Sequence, residues 1–392
     1  MESIMRVLVV DDQASMRGVI KKMLHQLGYF QGMEEAADGE EAWRKLKAQV
    51  FDFVICDMGM PVLDGIGLLK RCRADVDLRD IPFLMISGDS MAEVVAHAGE
   101  WGAYDYLVKP FSFTGLKQRI DVILDRMKSP EEALFREVER MKDDGYAREA
   151  LEKIEKVEKI LPRRPKWMNL KGECLMELDE MDRAAEMIEQ ALDNSEKFLT
   201  AYKNYAIIQQ KLGNTEKAIE ALEMADRLSP MEPDRKLTLG KLMIKTGRGE
   251  EGTEFLEAAL KQSDRQEKDA YRLKVAEVYL ENDMFSEAEK HYVRVLKTNP
   301  QESIEAYNRL GIALRRQGKF KEAEKYYLMA LKVYPDNAAI YYNLGVLFMN
   351  REQFDSASQY FKKAIQLEPD FKEAREKLDT LVRMVQGKAK AS

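Results

Sequence analysis

A small residue recurs at almost constant spacing through the last two thirds of the chain, and no other feature constrains the fold as strongly. The recurring positions are Ala150, Ala184, Ala218, Gly252, Ala288, Ala323 and Ala357, which gives steps of 34, 34, 34, 36, 35 and 34 residues. Each position lies within apolar residues at helical spacing. Units of this length that are helical throughout are typical of stacked helix pairs, which cannot bury their apolar faces alone. The pattern therefore predicts an α-solenoid.

The last two units agree almost letter for letter. One has Tyr307, Leu310, Gly311, Gly318, Phe320, Ala323, Tyr327, Ala330 and Pro335, and the other has Tyr341, Leu344, Gly345, Phe354, Ala357, Phe361, Ala364 and Pro369. The small residues let paired helices approach closely, and the closing proline stops the second helix. These residues resemble the tetratricopeptide (TPR) pattern, and the resemblance covers residues 131–370.

About seven TPR units fit this stretch, and two of them depart from the pattern. The first unit (131–164) and the fourth (233–268) are degenerate, and Gly249 and Gly252 replace an expected aromatic residue and an alanine in the fourth. Because glycine is a poor helix former, we expect a weak joint there. Residues 371–386 predict a capping helix with a polar face.

The first 128 residues have a different hydrophobic pattern, in which short apolar runs alternate with helical stretches. Strands are predicted at 6–10, 51–57, 82–87 and 104–108, with a weaker one at 32–37, and helices at 14–27, 39–48, 64–74, 91–100 and 112–127. Five strands that alternate with five helices predict a doubly wound parallel sheet, covered on both faces. The predicted fold class is thus α/β followed by all-α.

Polar residues follow four of these predicted strands. Asp11-Asp12 follow the first, Asp57 ends the third, Ser87 ends the fourth and Lys109-Pro110 follow the fifth. In an open parallel sheet, ligands bind outside the carboxyl ends of the strands. Clustered carboxylates need a hard cation, and oxygen ligands suit Mg²⁺. This combination predicts a phosphoryl-transfer site in which Asp57 is the nucleophile.

This first part resembles the receiver domains of two-component response regulators, most closely the single-domain chemotaxis receivers. The motifs that carry the resemblance are Asp11-Asp12, the segment 56–65 around Asp57, Ser87-Gly88 and the segment 106–111. The resemblance implies a flavodoxin-like receiver (1–128) that accepts a phosphoryl group on Asp57 from a sensor histidine kinase.

The same resemblance implies roles for the other residues of the pocket. Asp12, Asp57 and the backbone carbonyl of Gly59 would bind Mg²⁺ (or Mn²⁺), with Asp11 in support. Lys109 would contact the phosphoryl oxygens. Ser87 and Tyr106 would be the hydroxyl and aromatic switch positions, and the Lys109-Pro110 bond would be cis.

Composition excludes several function classes. The 392 residues carry a net charge of −7, which disfavours non-specific binding to nucleic acid or anionic membranes. The three cysteines form no CxxC pair, and no apolar run is long enough for a membrane helix. We therefore expect a cytoplasmic protein that neither binds nucleic acid nor inserts into a membrane, and whose only chemistry is self-phosphotransfer and hydrolysis of the aspartyl-phosphate.

The output is predicted to be protein binding by the concave face of the repeats. Candidate groove residues are Lys203, Ile207, Ile312, Arg315, Tyr342, Val346 and Met349. Only residues 128–130 separate the two parts, so the face formed by 91–127 is expected to pass the phosphorylation signal to the repeats. Two alternatives remain open, a phosphate sink or relay intermediate with a constitutive TPR scaffold and an RNA-binding regulator, and the segment 102–106 allows a homodimer.

Overall fold

The structure is a computed structural model that describes residues 5–88, 98–160, 164–195, 197–263, 267–299 and 304–391. The chain forms two compact units, Met1–Glu232 and Pro233–Ser392. Within the described residues, no helix has the length and apolar character needed to cross a membrane.

A five-stranded parallel sheet begins the first unit. Its strands are β1 (Met5–Val10), β2 (Phe30–Ala36), β3 (Phe53–Asp57), β4 (Phe83–Ser87) and β5 (Asp105–Val108), in the order β2-β1-β3-β4-β5. Every residue of β3 and β4 is buried, as expected for central strands that are covered on both faces. The predicted α/β class and the five predicted strands are confirmed.

Helices cover both faces of this sheet. They are α1 (Ala14–Leu27), α2 (Gly39–Ala48), α3 (Gly65–Ala74) and α4 (Phe113–Lys128). Apolar residues of α1 and α4 pack against Val7, Phe53 and Leu84 on one face, and those of α2 and α3 pack against Leu8 and Val54 on the other. In the predicted helix 91–100, residues 98–100 are helical and 91–97 lie outside the described residues.

Helix pairs make up the rest of the chain. The first unit continues with α5 (Pro130–Asp143), α6 (Ala147–Glu158), α7 (Pro165–Glu177), α8 (Met181–Asp193), α9 (Leu199–Lys211) and α10 (Thr215–Leu228). The second unit contains α11 (Pro233–Lys245), α12 (Gly249–Gln262), α13 (Lys268–Glu281), α14 (Phe285–Thr298), α15 (Ile304–Arg316), α16 (Phe320–Val333), α17 (Ala338–Asn350), α18 (Phe354–Leu367) and α19 (Lys372–Ala391). The predicted all-α second part is confirmed, while the domain boundaries predicted from the sequence stay a prediction.

The degenerate pair α11 and α12 is joined by two glycines that face each other. A Cβ added to Gly252 would lie 2.8 Å from the carbonyl oxygen of Gly240 and 3.0 Å from the backbone nitrogen of Ile244. Such distances are shorter than real Cβ contacts, and backbone atoms cannot move aside cheaply. Glycine at position 252 therefore permits a close approach of the two helices, which offsets its low helix propensity.

Gly252→Ala is expected to destabilise the second unit, although alanine is the usual residue at this repeat position. Overpacking costs about 1–3 kcal/mol and exceeds the roughly 1 kcal/mol that alanine gains over glycine within a helix. Gly249→Ala on the same helix is the matched control, because its Cβ would meet no atom within 4 Å. Urea unfolding followed by circular dichroism should give a lower midpoint for Gly252→Ala and an unchanged or higher one for Gly249→Ala. Equal midpoints for the two variants would contradict the close approach.

Candidate functional site

Three side chains from separate segments meet at the carboxyl end of the sheet. Asp11 follows β1, Asp57 ends β3 and Lys109 follows β5. The ammonium nitrogen of Lys109 lies 2.8 Å from Oδ2 of Asp11 and 2.7 Å from Oδ1 of Asp57. The strand order reverses between β1 and β3 at this edge, which is where ligands of open α/β sheets bind.

The two carboxylates lie in a buried and negatively charged environment. Asp11 is fully buried and Asp57 is 6% exposed. Burial raises the pKa of Asp57; the hydrogen bond from Lys109 opposes that rise, and the charges of Asp11 and Asp12 add to it. For Lys109, burial alone lowers the pKa, but the hydrogen bonds to the two carboxylates outweigh it and the pKa is raised. The pocket thus holds more negative than positive charge.

Backbone hydrogen bonds hold the strand ends that carry these side chains. The N–H of Met58 donates to the carbonyl oxygen of Ile86 (2.8 Å), and the N–H of Lys109 donates to that of Ser87 (2.7 Å). Both bonds extend the pairing of the sheet one residue beyond the strand. The Lys109-Pro110 peptide bond is cis, as the resemblance implied.

The other two predicted metal ligands lie at the open side of the pocket. Asp12 and Gly59 are exposed, and a Cβ added to Gly59 would meet no atom within 4 Å. Across the part of the chain that the structure describes, no group of three or more His, Cys, Asp or Glu side chains is placed to hold a metal ion. A cation here would need the carbonyl of Gly59 and water in addition to carboxylates, and Mg²⁺ is a cation that keeps several waters.

The two predicted switch residues lie on neighbouring strands. Ser87 ends β4 and is 5% exposed. Tyr106 lies on β5, where it pairs in register with Met85, and, like Trp101, it packs against the cluster under α2 and α3. The guanidinium of Arg119 lies 5.6 Å from the centre of the Tyr106 ring. The switch roles of Ser87 and Tyr106 stay a prediction.

The candidate groove residues have different surroundings. Lys203 and Ile207 lie on α9, Ile312 and Arg315 on α15, and Tyr342, Val346 and Met349 on α17. Ile207 is 45% exposed, whereas Val346 is 8% exposed. The ring of Tyr342 packs 5.1 Å from that of Phe371. The candidates on α17 pack in one apolar cluster with Phe361 and Leu381, and partner binding by the seven residues stays a prediction.

Within the first unit, the segment that precedes β5 contacts the repeats through Trp101. The indole N–H donates to Oε2 of Glu232 at 3.0 Å. The ammonium groups of Lys70 and Lys203 lie 4.2 Å and 5.6 Å from the centre of the indole ring, within cation–π range. Lys203 also pairs with Glu100 at 3.3 Å, and the side chain of Glu100 is 1% exposed. We call these five residues the tryptophan contact.

A second contact joins the segment after α3 to α5. Arg79 pairs with Asp143 at 3.2 Å, and Nε of Arg140 donates to Asp80 at 2.7 Å. A cavity of about 350 Å³ lies beside these pairs, and Glu139 is among its lining residues. The sheet domain is thus docked on the first repeats rather than tethered to them.

No sequence motif indicated the tryptophan contact, although Lys203 is among the candidate groove residues. Trp101 and Glu232 are 131 residues apart, and Glu100 and Lys70 belong to no motif. Trp101 itself was a usable signal, because a tryptophan in a chain with only three is a candidate for a contact with another element.

Comparisons with known proteins agree with this architecture. The response regulator receiver domain model matches residues 7–121, and tetratricopeptide repeat models match 146–197, 177–233, 269–336 and 308–370. Chemotaxis protein CheY-3 of Vibrio cholerae is 42% identical over 123 residues, 31% of this chain and 94% of that protein. Chemotaxis protein CheY of Pseudomonas aeruginosa is 39% identical over 31% of this chain and 98% of its own length.

For the repeats, the similarity to a solved structure shows the fold alone. The C-terminal part of a TPR repeat-containing protein from Cytophaga hutchinsonii has a TM-score of 0.51 at 19% sequence identity. It covers 62% of this chain and 99% of its own.

A parallel sheet with two buried carboxylates and a lysine at its carboxyl edge, followed by stacked helix pairs, defines a receiver-type signalling domain joined to a helical repeat array. Through residues 7–121 the chain belongs to the response regulator receiver family, and it carries tetratricopeptide repeats after that domain.

Glu139, which lines the cavity beside α5, should make the free energy of unfolding depend on pH. Burial raises the pKa of Glu139 to about 7, and repulsion by Glu173, Asp143 and Asp80 outweighs the attraction of Lys142. The folded chain therefore binds the proton of the Glu139 carboxyl group more tightly than the unfolded chain does. The contribution of this proton to the free energy of unfolding is complete below the ordinary pKa of 4.5 and is lost as the pH rises through about 7.

The free energy of unfolding of Glu139→Gln is therefore expected to equal that of the wild type at about pH 5. At about pH 8 it should exceed that of the wild type by about 2 kcal/mol. Urea unfolding at both pH values measures the difference. Glu137→Gln on the same helix is the control, since Glu137 is 58% exposed. A Glu139→Gln effect that is equal at the two pH values would contradict the assignment.

Proposed function

We propose that this chain is a response regulator in which Asp57 accepts a phosphoryl group from a sensor histidine kinase, and the charge gained there gates binding of a protein partner by the repeats. The observation that supports this most is the contact of Lys109 with both Asp57 and Asp11 in a buried pocket. A carboxylate in that position is within reach of a donor that enters from the exposed side, where Gly59 lies.

The bond changes of the transfer involve Asp57, the phosphodonor and water. A carboxylate oxygen of Asp57 attacks phosphorus, the P–N bond of a phosphohistidine breaks, and the imidazole leaves with its electron pair and takes up a proton. Lys109 then pairs with the new phosphoryl oxygens as a charge-assisted donor, and the hydroxyl of Ser87 donates a further hydrogen bond. Attack by water on phosphorus later breaks the P–O bond and restores the carboxylate.

The pocket fits a divalent cation by the chemistry of its donors. Asp57, Asp12 and the carbonyl of Gly59 would hold Mg²⁺ or Mn²⁺, with Asp11 in support, and all of these donors are hard oxygen atoms. The rise that Asp11 and Asp12 cause in the pKa of Asp57 shows the excess of negative charge that such an ion would neutralise. When bound, the cation would also offset the charge of the incoming phosphoryl group.

The proposed route from the pocket to the repeats is short. Lys109 follows β5 directly, and Tyr106 lies on that strand. Only Gly102, Ala103 and Tyr104 separate Trp101 from β5, and Trp101 contacts the repeats. Phosphorylation replaces the carboxylate of Asp57, with its charge of −1, by an acyl phosphate of about −2 at neutral pH. The gain of about one negative charge beside Lys109 would change the forces on the strand next to the tryptophan contact.

Asp57→Asn is expected to abolish phosphoryl uptake. Purified full-length protein, incubated with an acyl phosphate or phosphoramidate and Mg²⁺, should gain one phosphoryl group by intact mass and should not gain it when a chelator is present. The control is Asp125→Asn, which removes an exposed carboxylate from α4 of the same domain and should be phosphorylated like the wild type. Phosphorylation of Asp57→Asn at the wild-type level would overturn the assignment of the acceptor.

Phosphorylation is expected to loosen the tryptophan contact. Hydrogen exchange of the full chain should become faster in 98–104 and in the amides of α9 when the phosphodonor is added, and Asp57→Asn should show no such change. Faster exchange measures weaker local protection. If exchange in both segments is unchanged while Asp57 is fully phosphorylated, the receiver acts as a phosphate sink and the gating proposal fails.

A further inference from the structure

The receiver domain places two consecutive residues on a repeat surface that the sequence marks as a partner groove. Lys203 is one of the candidate groove residues, and it pairs with Glu100 and lies over the ring of Trp101. Glu232 accepts the indole N–H from Trp101. The side chains of Glu100 and Glu232 are only 1% and 8% exposed. The groove around Lys203 is thus filled by the chain itself.

We propose that the surface formed by Lys203 and Glu232 is a binding site for a partner segment in which an acidic residue is followed directly by tryptophan, and that Glu100-Trp101 occupies this site as an internal mimic until the receiver releases it. This inference rests on the proposed function, because phosphorylation of Asp57 supplies the release.

Three interactions give the site its selectivity. The ammonium of Lys203 attracts a carboxylate, and the same ammonium lies within cation–π distance of the indole, so one lysine recognises two adjacent side chains. The carboxylate of Glu232 accepts the indole N–H. Phenylalanine has no N–H to donate, so the carboxylate of Glu232 would lose the hydrogen bond that the indole supplies. Tryptophan after an acid therefore fits better than other aromatic residues.

The charges of the site disfavour a polyanion as its ligand. Glu232 lies beside the position of the indole and within 3.7 Å of the ammonium of Lys70, so a phosphate backbone that approached Lys203 would meet a buried carboxylate. The acidic balance of the whole chain acts in the same direction. A protein segment, which brings an apolar ring with its single acid, avoids that repulsion.

The test uses the full chain and a fluorescein-labelled peptide, AGEWGAYDY, which reproduces residues 98–106. Binding is measured by fluorescence anisotropy without a phosphodonor. The Glu100→Ala/Trp101→Ala double variant, whose own mimic is removed, should bind the peptide at least tenfold more tightly than the wild type. A peptide with alanine in place of both Glu and Trp should not bind.

The site itself is tested in the double-variant background. Adding Lys203→Glu should weaken binding of the peptide at least tenfold, whereas Lys211→Glu, an exposed residue of the same helix, should leave it unchanged. Lys203→Met, which keeps the aliphatic stem, should also weaken binding and guards against a folding defect. Equal binding by the wild type and the double variant, or no effect of either Lys203 substitution, would overturn the proposal.

Release by the receiver is measured separately. Peptide binding by the wild type should rise when the phosphodonor is added, and Asp57→Asn should prevent the rise. If the double variant binds the peptide but phosphorylation has no effect on the wild type, the site stands and the gating function fails. A wild-type dimer in sedimentation that the double variant loses would assign the site to Glu100-Trp101 of a second copy and would overturn the proposal of a separate partner.

Discussion

The ammonium of Lys109 between the buried carboxylates of Asp11 and Asp57 is the interaction on which the receiver depends. Three chain segments meet at this point, and the ammonium of Lys109 bonds to both carboxylates. Removing one member of a buried ion pair typically costs about 3–5 kcal/mol, because the charge that remains is neither hydrated nor paired. Two acids share a single lysine, however, so the pocket is left with excess negative charge. The same arrangement therefore holds the strand ends together and, in the proposed function, would leave them responsive to a cation and a phosphoryl group.

The contact between receiver and repeats is weak by comparison, and this difference suits a switch. The core strands β3 and β4 are fully buried, whereas the tryptophan contact consists of ion pairs, one indole hydrogen bond and cation–π interactions. Lys70 and Lys203 are each 36% exposed, so water screens their ion pairs although the carboxylates are buried, and cation–π pairs contribute about 0.5–2 kcal/mol. Allosteric coupling free energies of about 1–3 kcal/mol are of the same size. In the proposed function, a coupling free energy of this size would shift this contact without unfolding the sheet.

Local patterns in the sequence predict the elements and the pocket, but not the contacts between distant elements. The alternation of apolar runs and helical stretches predicted α1 at 14–27, as observed, because hydrophobic periodicity acts over a few residues. Asp11, Asp57 and Lys109 could be placed together because parallel strands bring their carboxyl ends to one edge. No such rule relates Trp101 to Glu232. Gly252 was interpreted as a loss of helix propensity, since the sequence does not reveal that its backbone faces Gly240.

In the proposed function, occupation of Lys203 by the receiver would limit how strongly phosphorylation can change partner binding by the repeats. An occupant that belongs to the same chain acts at an effective concentration in the millimolar range, so even an intrinsically weak contact keeps the site filled for part of the time. A partner must compete with that occupant. The apparent affinity of the partner is its intrinsic affinity multiplied by the fraction of sites that are open. Coupling of about 1–3 kcal/mol corresponds to roughly 5–150-fold, which describes graded modulation of partner binding. Tighter docking would leave fewer of these sites open in the unphosphorylated chain. The single charge gained at Asp57 would then be insufficient to release the occupant.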